Sequence, residues 1–345
     1  MADSKIVVTG ASGFIGSDVV ARLLKEVPAE RLVLLGRSVP KEDSLFSLRM
    51  GEHGLSDRAR GLRWVKTDFN DPVTLASTLQ SLAAECPGAV VVHLAAIIHR
   101  EGSAAEQERM NVGVTEDLME WTAQVGGRFL FISSVVAFGG SSEPVVRSEK
   151  DFTLATGPGH DFDYYATKHR AHVRVLEESK VPAVVFCPGI VHGSLENFKN
   201  SRGHLKALRA GRLKVAPSGG GNFVGLDRVA QAIANEALRA SPSAASEGNV
   251  RTRLLVDRNA SFLEYFREYV ALSLGDKGQK IHAIPAWVGR TALAAHRRLR
   301  ASGRRVPMIE VLAQGSLWLY FRSEFPEAPT AGLAEALRKS LEWDD

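Results

Sequence analysis

Apolar residues in the first half of the chain alternate between two rhythms. Short runs rich in branched residues, KIVVT (5–9), 32–35, 62–66, AVVVHL (89–94), RFLFI (128–132) and 183–186, read as buried strands. Between them, 14–26, 74–84, 112–124 and 164–179 carry the spacing of helices. Strands alternating with helices predict an α/β fold, a doubly wound parallel sheet with helices on both faces. Beyond about residue 190 the order loosens, and glycine, arginine and short helices dominate. The expected division is therefore 1–190 for the sheet domain and 191–345 for a smaller C-terminal substrate-binding lobe, some of whose segments return to the first domain. SPSAASEG (241–248) reads as a linker or surface loop, and no internal repeat is visible.

Composition narrows the class. The 345 residues are 45% hydrophobic and 24% charged, enough for a sizeable core. A net charge of +4 is too mild to argue for nucleic acid. No window approaches the 18 or so uninterrupted apolar residues of a membrane span. MADSKIVVTG enters a strand-like run at once, unlike a secretory signal. Cys86 and Cys187 are lone and far apart, which fits a reducing compartment, so a cytoplasmic location is expected.

The first candidate chemistry is TGASGFIG (9–16), between the first strand and the first helix. Gly10, Gly13 and Gly16 leave room for a tight turn, for backbone to approach a pyrophosphate and for the helix to pack on the sheet. Amides at the helix start would point at the phosphates. The second strand should end in the residue that reads the adenosine ribose. An acid there selects NAD; LLGRS places Arg37 and Ser38 there instead, and a guanidinium suits a 2′-phosphate. NADP(H) is the expected cofactor.

FDYYATKHR (162–170) sets two tyrosines before a lysine. Residues four apart share a helix face, which pairs Tyr164 with Lys168, but Tyr165 lies only three away. Taken alone, the stretch does not choose between them.

The choice comes from a resemblance. Eight motifs in chain order, covering roughly residues 5–235, resemble the extended short-chain dehydrogenase/reductase superfamily, whose members fold around a Rossmann-type sheet. TGASGFIG matches the cofactor loop, implying contacts from Ser12, Phe14 and Ile15 as well as the glycines. TDFND (67–71) is similar to the third-strand signature, where Asp68, with Phe69 beside it, would touch adenine. VVHLAA (91–96) resembles the segment under the cofactor, bringing in Leu94, Ala95 and Ala96. MNVGVTEDLME (110–120) matches a helix in which Asn111 stabilises the central sheet. FISSVVAFGG (131–140) resembles the segment of the catalytic hydroxyl, implying Ser134 with Ser133 next to it. Tyr164 and Lys168 stand at the family's spacing, so Tyr165 is expected in packing or a pocket wall. FCPGIVHG (186–193) is similar to the strand end beside the nicotinamide, implying Pro188, Gly189 and Val191. NFVGLDRVAQAI (222–233) resembles the entry to a helix closing the substrate lobe. The implied catalytic set is Ser134, Tyr164 and Lys168. An adjacent ammonium favours the phenolate, as the chemistry requires.

Departures from the pattern shape the reaction expected. Cys187-Pro188 replaces the usual arginine-proline, and Asn222 stands where an arginine serves nucleotide-sugar diphosphates in some epimerases. With Arg37, these favour a reductase that exchanges NADP(H) over a nucleotide-sugar epimerase or dehydratase, and over a dinucleotide sensor without chemistry. AIPAWVG (283–289) and SLWLYF (316–321), dense in apolar side chains, point to a bulky, mostly apolar ketone or aldehyde, if they do not simply form core. A small molecule is thus the expected partner, a homodimer the assembly considered, and nucleic acid not expected.

Remaining features read more plainly. His160, His169 and His172 have no acid or thiolate to complete a zinc set and are expected at the surface, with no metal site. GGG (219–221) reads as a turn. Residues 287–305 hold six arginines and no acid, with apolar positions at helical spacing. They are expected as a solvated face packed on the substrate lobe, with peripheral contact to anionic lipid or an acidic partner as the alternative. The long insertion 38–61 has no readable role.

Overall fold

The computed structural model describes residues 4–98, 102–196, 203–239, 250–325 and 333–342. SPSAASEG (241–248) lies outside the described residues. The expected doubly wound sheet is present with seven strands, in the order Val250–Leu255, Ala183–Pro188, Arg128–Ile132, Val90–His93, Ile6–Thr9, Leu32–Gly36 and Arg63–Lys66. From Ala183–Pro188 to Arg63–Lys66 neighbouring strands run parallel, with Val7 opposite both Val33 and Val91. Strands covered on both faces read as near-continuous apolar runs, not as an alternation. Ile6–Thr9, Val90–His93 and Arg128–Ile132 are buried throughout.

Starting from Ile6–Thr9, the sheet first grows through Leu32–Gly36 and then reverses through Val90–His93. Open α/β sheets hold ligands in the crevice beyond the strand ends at such a reversal. Helix Phe14–Glu26 starts there and turns Val19, Val20, Leu23 and Leu24 into the core. The helix expected from 112 begins with a π turn, Arg109–Gly113, and continues as Val114–Gln124. The 38–61 insertion folds into helices Leu45–Glu52 and Ser56–Ala59, the first capped by Ser44 accepting from the Ser47 amide.

Internal contacts divide the chain into two units by interleaved segments, not by one cut near residue 190. The first unit comprises 1–134, 170–187 and 226–253; the second comprises 135–169, 188–225 and 254–345. In the second unit, strand Gly220–Gly225 lies between Ile190–His192 and Arg258–Ser261. Glycines 220 and 221 are therefore strand, and the expected turn is corrected. A Cβ on Gly220 would sit 2.7 Å from the Ala260 carbonyl oxygen and 2.9 Å from the Trp318 ring, so close approach, not reversal, requires the glycine. Helix Phe262–Leu274, opened by a Ser261/Glu264 capping box, packs Tyr265 and Tyr269 beside Phe223 in this unit's core.

SLWLYF is largely core: Leu317, Leu319 and Phe321 are buried, and Tyr320–Phe321 pairs with Val146–Arg147. AIPAWVG is mostly exposed at the start of helix Ala286–Ala301, with Trp287 at 63%. Among the described residues no helix is long and apolar enough to cross a membrane.

Candidate active site

In the first unit, the glycine loop closes on itself and on the neighbouring strand. Gly10 has φ +69°, and a Cβ there would come within 2.7 Å of the Ala95 nitrogen. A Cβ on Gly16 would lie 2.1 Å from the Gly10 carbonyl oxygen, so the helix packs onto the loop only with glycine at this position. The Gly13 amide donates to that same oxygen at 3.0 Å. Gly13 caps the helix without a side-chain bond, and no acid occupies the first turn. The first amides of the helix thus face outward as an anion site, and Ser12 and Gly13 beside them are exposed. Phe14 and Ile15 are half-buried, with the Arg49 guanidinium 6.0 Å over the Phe14 ring. This cradle fits the diphosphate of a dinucleotide.

Arg37 and Ser38 follow the second strand and are exposed. Asp68 is also exposed, its carboxylate accepting from the Asn70 amide at 3.0 Å, while Phe69 is buried. Leu94, Ala95 and Ala96 continue the fourth strand past its end. Asn111 sits in the π turn and is buried. Its carbonyl accepts from the Ile97 amide at 2.8 Å and its amide donates to the Ile97 carbonyl at 2.9 Å, so the side chain replaces a missing strand for this segment.

A polar line beneath the loop escaped the sequence reading. Thr9 Oγ1 bonds His93 Nδ1 at 2.8 Å, His93 Nε2 bonds Thr115 Oγ1 at 3.1 Å, and the Thr115 hydroxyl donates to the Asn111 carbonyl. Thr9 Oγ1 also accepts from the Ala95 amide at 3.2 Å. His93 stacks on Phe129 and Phe131. The signal was a histidine inside the apolar run AVVVHL, where a buried polar group demands partners.

Ser133 and Ser134 end the first unit's central strand region and separate cleanly. Ser133 is buried, and its amide donates to the Phe186 carbonyl at 2.7 Å. Ser134 is half-buried, which leaves it the more accessible hydroxyl.

Tyr164, Lys168, Pro188, Gly189 and Val191 belong to the second unit. Helix Asp163–Glu178 holds Tyr164 half-buried and Tyr165 only 4% exposed. Tyr165 meets Phe162 edge-on at 5.5 Å, and burial, with Tyr164 adding to it, pushes its phenol above the ordinary range. A phenol so held is a poor acid, and it packs as expected. Lys168 is 3% exposed. The Gly189 amide donates to the Leu255 carbonyl at 3.1 Å, and a Cβ there would lie 2.6 Å from the Asn222 carbonyl oxygen. Val191 is buried opposite Val224. Asn222 is buried too, donating to Asn259 Oδ1 at 2.8 Å.

The histidines overturn the surface expectation. His169 and His172 are buried, His160 partly so. His169 bonds the Ala137 and Leu154 carbonyls at 2.8 and 3.1 Å, and His172 bonds Thr252 Oγ1 at 2.9 Å. These partners come from distant segments and satisfy the rings inside the protein. The His160 ring lies 4.2 Å from that of His169, tilted by 33°, accepts the Gly157 amide on Nδ1, and donates to the Ala137 carbonyl from Nε2. Burial, then the neighbouring His169, lowers the His160 pKa to about 4. No group of three or more His, Cys, Asp or Glu among the described residues could hold a metal ion. A buried pair also went unread: His192 Nδ1 lies 2.9 Å from both Glu196 oxygens.

The chain is similar to D-erythronate dehydrogenase of Cupriavidus necator, with 30% identity over 157 residues, 42% of this chain and 43% of that one. It spans less than half the length of the curated relatives it matches. Among solved structures, gox2253 matches with a TM-score of 0.72 at 24% identity, covering 99% of this chain and 97% of that one. The UDP-glucose 4-epimerase of Thermotoga maritima, solved with UDP-glucose, matches with 0.67 at 16%, covering 99% and 98%. At these identities the likeness is one of fold. Residues 8–233 match the model of the family described as male sterility protein, an NAD-binding family, and the chain therefore belongs to it.

Proposed function

We propose that this protein is an NADPH-dependent reductase of a bulky, mostly apolar ketone or aldehyde, acting through Ser134, Tyr164 and Lys168. The observation that carries the cofactor choice is Arg37. It is an exposed guanidinium at the end of the second strand, with Ser38 beside it and no acid in the LLGRS segment. A planar fork of donors matches a 2′-phosphate, while NAD selection relies on a carboxylate at this point. Bound NADPH supplies the hydride. Tyr164 gives its phenolic proton to the carbonyl oxygen, and Ser134 donates a hydrogen bond to that oxygen. Lys168 holds the ribose hydroxyls and favours the phenolate left behind. The half-buried Tyr164 beside a fully buried Tyr165 supports this choice of acid.

Asn222 supports the substrate class. Where some epimerases carry an arginine toward the sugar diphosphate, Asn222 is spent on Asn259 and the Phe321 carbonyl. The reading also takes the protein to be a cytoplasmic enzyme of small molecules, working as a homodimer. The test is a panel of decalone, decanal, UDP-glucose and dTDP-glucose, followed by NADPH consumption and product analysis. Reduction of decalone or decanal with NADPH is expected. Epimerisation or dehydration of a nucleotide sugar without net NADPH use would reject the reading.

A further inference from the structure

The basic segment 287–305 looked in sequence like a solvated face. In the second unit it forms helix Ala286–Ala301 and the turn that follows it, and three of its six arginines reach one short stretch of chain. Arg297 Nε bonds Asp161 Oδ2 at 2.8 Å. Arg300 and Arg305 each take one oxygen of Asp163. Between these two acids, Phe162 is buried and stacks on His296 at 4.5 Å with 27° between the rings. The helix is packed on one side and solvated on the other, as expected: Gly289, Ala292 and His296 are buried, while Arg297, Arg300 and Arg305 stay part-exposed; the ion pairs they make are what the sequence did not carry.

The stretch so held, Asp161–Phe162–Asp163, runs directly into Tyr164. Asp163 is the first residue of the helix that carries both Tyr164 and Lys168. An acid in a first turn suits the helix dipole. Burial pushes the Asp163 carboxyl up, but hydrogen bonds and charge from Arg300 and Arg305 outweigh it and leave the group below its ordinary range. Two arginines on separate oxygens also fix the direction of the carboxylate, as a single exposed pair would not.

We propose that the end of helix Ala286–Ala301 and the turn after it form a positioning element for the catalytic tyrosine, with Arg300 and Arg305 clamping Asp163 so that the first turn of the Tyr164 helix is held in register for proton transfer. The inference rests on Tyr164 being the acid, as proposed above. None of the three residues touches the reacting atoms; they act through the backbone that Asp163 shares with Tyr164. Misplacement by about 1 Å lowers turnover roughly 100-fold. Anchoring that is loosened but not lost is therefore expected to lower it about 10-fold or more.

Three variants test this with decalone as substrate: Arg300→Ala with Arg305→Ala, Asp163→Asn, and all three changes together. The arginine pair and Asp163→Asn should each lower kcat about 10-fold or more, while the Kd for NADPH, read by fluorescence titration, stays within about twofold. The triple variant should be no worse than either, because all remove one interaction. Arg300→Lys with Arg305→Lys should recover most of kcat, since each arginine meets a single oxygen. Should the alanine pair not fold, Asp163→Asn and the lysine pair carry the same comparison. An unchanged kcat in Asp163→Asn or in the alanine pair, beside a Tyr164→Phe variant that has lost turnover, would overturn the clamp alone. Additive losses, or a Kd for NADPH that rises in step with the fall in kcat, would overturn it as well. A Tyr164→Phe variant with full turnover would instead defeat the underlying reading, and the clamp with it.

Discussion

Tyr164 and Tyr165 differ by one position, yet a helix turns successive side chains by about 100°, enough to leave one part-exposed and send the other into core. Tyr165 lies against Phe162, with its phenol pushed above the usual range by burial. Tyr164 stays half-buried. Replacing Tyr164 by Phe is expected to lower turnover at least 100-fold, since general acid catalysis contributes about that much or more, with NADPH binding nearly intact. Tyr165→Phe should leave turnover close to wild type. Steady-state kinetics on the two variants decides, and the reverse outcome would reassign the acid. The spacing to Lys168 pointed to Tyr164 only through family resemblance. Burial gives an independent physical reason that no local pattern carried.

At the scale of elements, the insertion 38–61 acquires a role. Its first helix delivers Arg49, 1% exposed, toward Asp18 on helix Phe14–Glu26, and its end delivers His53, whose Nε2 lies 2.7 Å from Asp18 Oδ1. Burial alone would raise the Asp18 carboxyl; the His53 bond, Arg22 and Arg49 more than reverse it and leave it lowered. A lowered carboxylate adds stability above its ordinary range and loses that contribution as pH falls through the folded value. Asp18→Ala removes the carboxylate that holds His53 and Arg22, while buried Arg49 keeps its ion pair with Glu52, and should cost about 1.5–3 kcal/mol, measured by urea unfolding near neutral pH. A loss under about 1 kcal/mol would mean that the insertion is not anchored there. The turn before helix Asp163–Glu178 makes a second case. His160 is lowered to about 4, against an ordinary 6.5, by burial and by His169. It is neutral in the fold and charges more readily when unfolded, so stability is full above about 6.5 and declines as pH falls toward about 4. His160→Gln should flatten that decline in thermal melts between these values, and an unaltered slope would put its origin elsewhere. Neither device shows in sequence, because each depends on which helix face meets which distant carbonyl or carboxylate.

Over the whole molecule, the chain passes between its two units five times, and the helix that begins at Asp163 starts in one and ends in the other. A ligand that binds only the folded chain stabilises all of it by mass action, about 2.7 kcal/mol at 100 times its Kd. NADPH is therefore expected to raise the melting temperature more than NADH at equal concentration. Arg37→Ala should erase most of that difference, corresponding to roughly 10- to 150-fold in affinity for a charge-assisted pair to phosphate. Equal shifts for both cofactors in the native protein would sink the preference for NADPH. What the sequence by itself determined is the part built from local rules. Continuous apolar runs can only be strands covered on both faces, and the glycines of TGASGFIG mark backbone that must approach other backbone, as the 2.1 Å and 2.7 Å distances at Gly16 and Gly10 bear out. Only the tertiary structure decided the fate of polar side chains. His169, Asp18 and Arg49 are buried because carbonyls and charges far along the chain meet them, and Gly220 is strand because the Trp318 ring lies over it. Three of the six arginines of 287–305 are spent on acids more than a hundred residues earlier. Periodicity is a property of neighbouring residues, whereas the partner of a buried charge is a property of the fold.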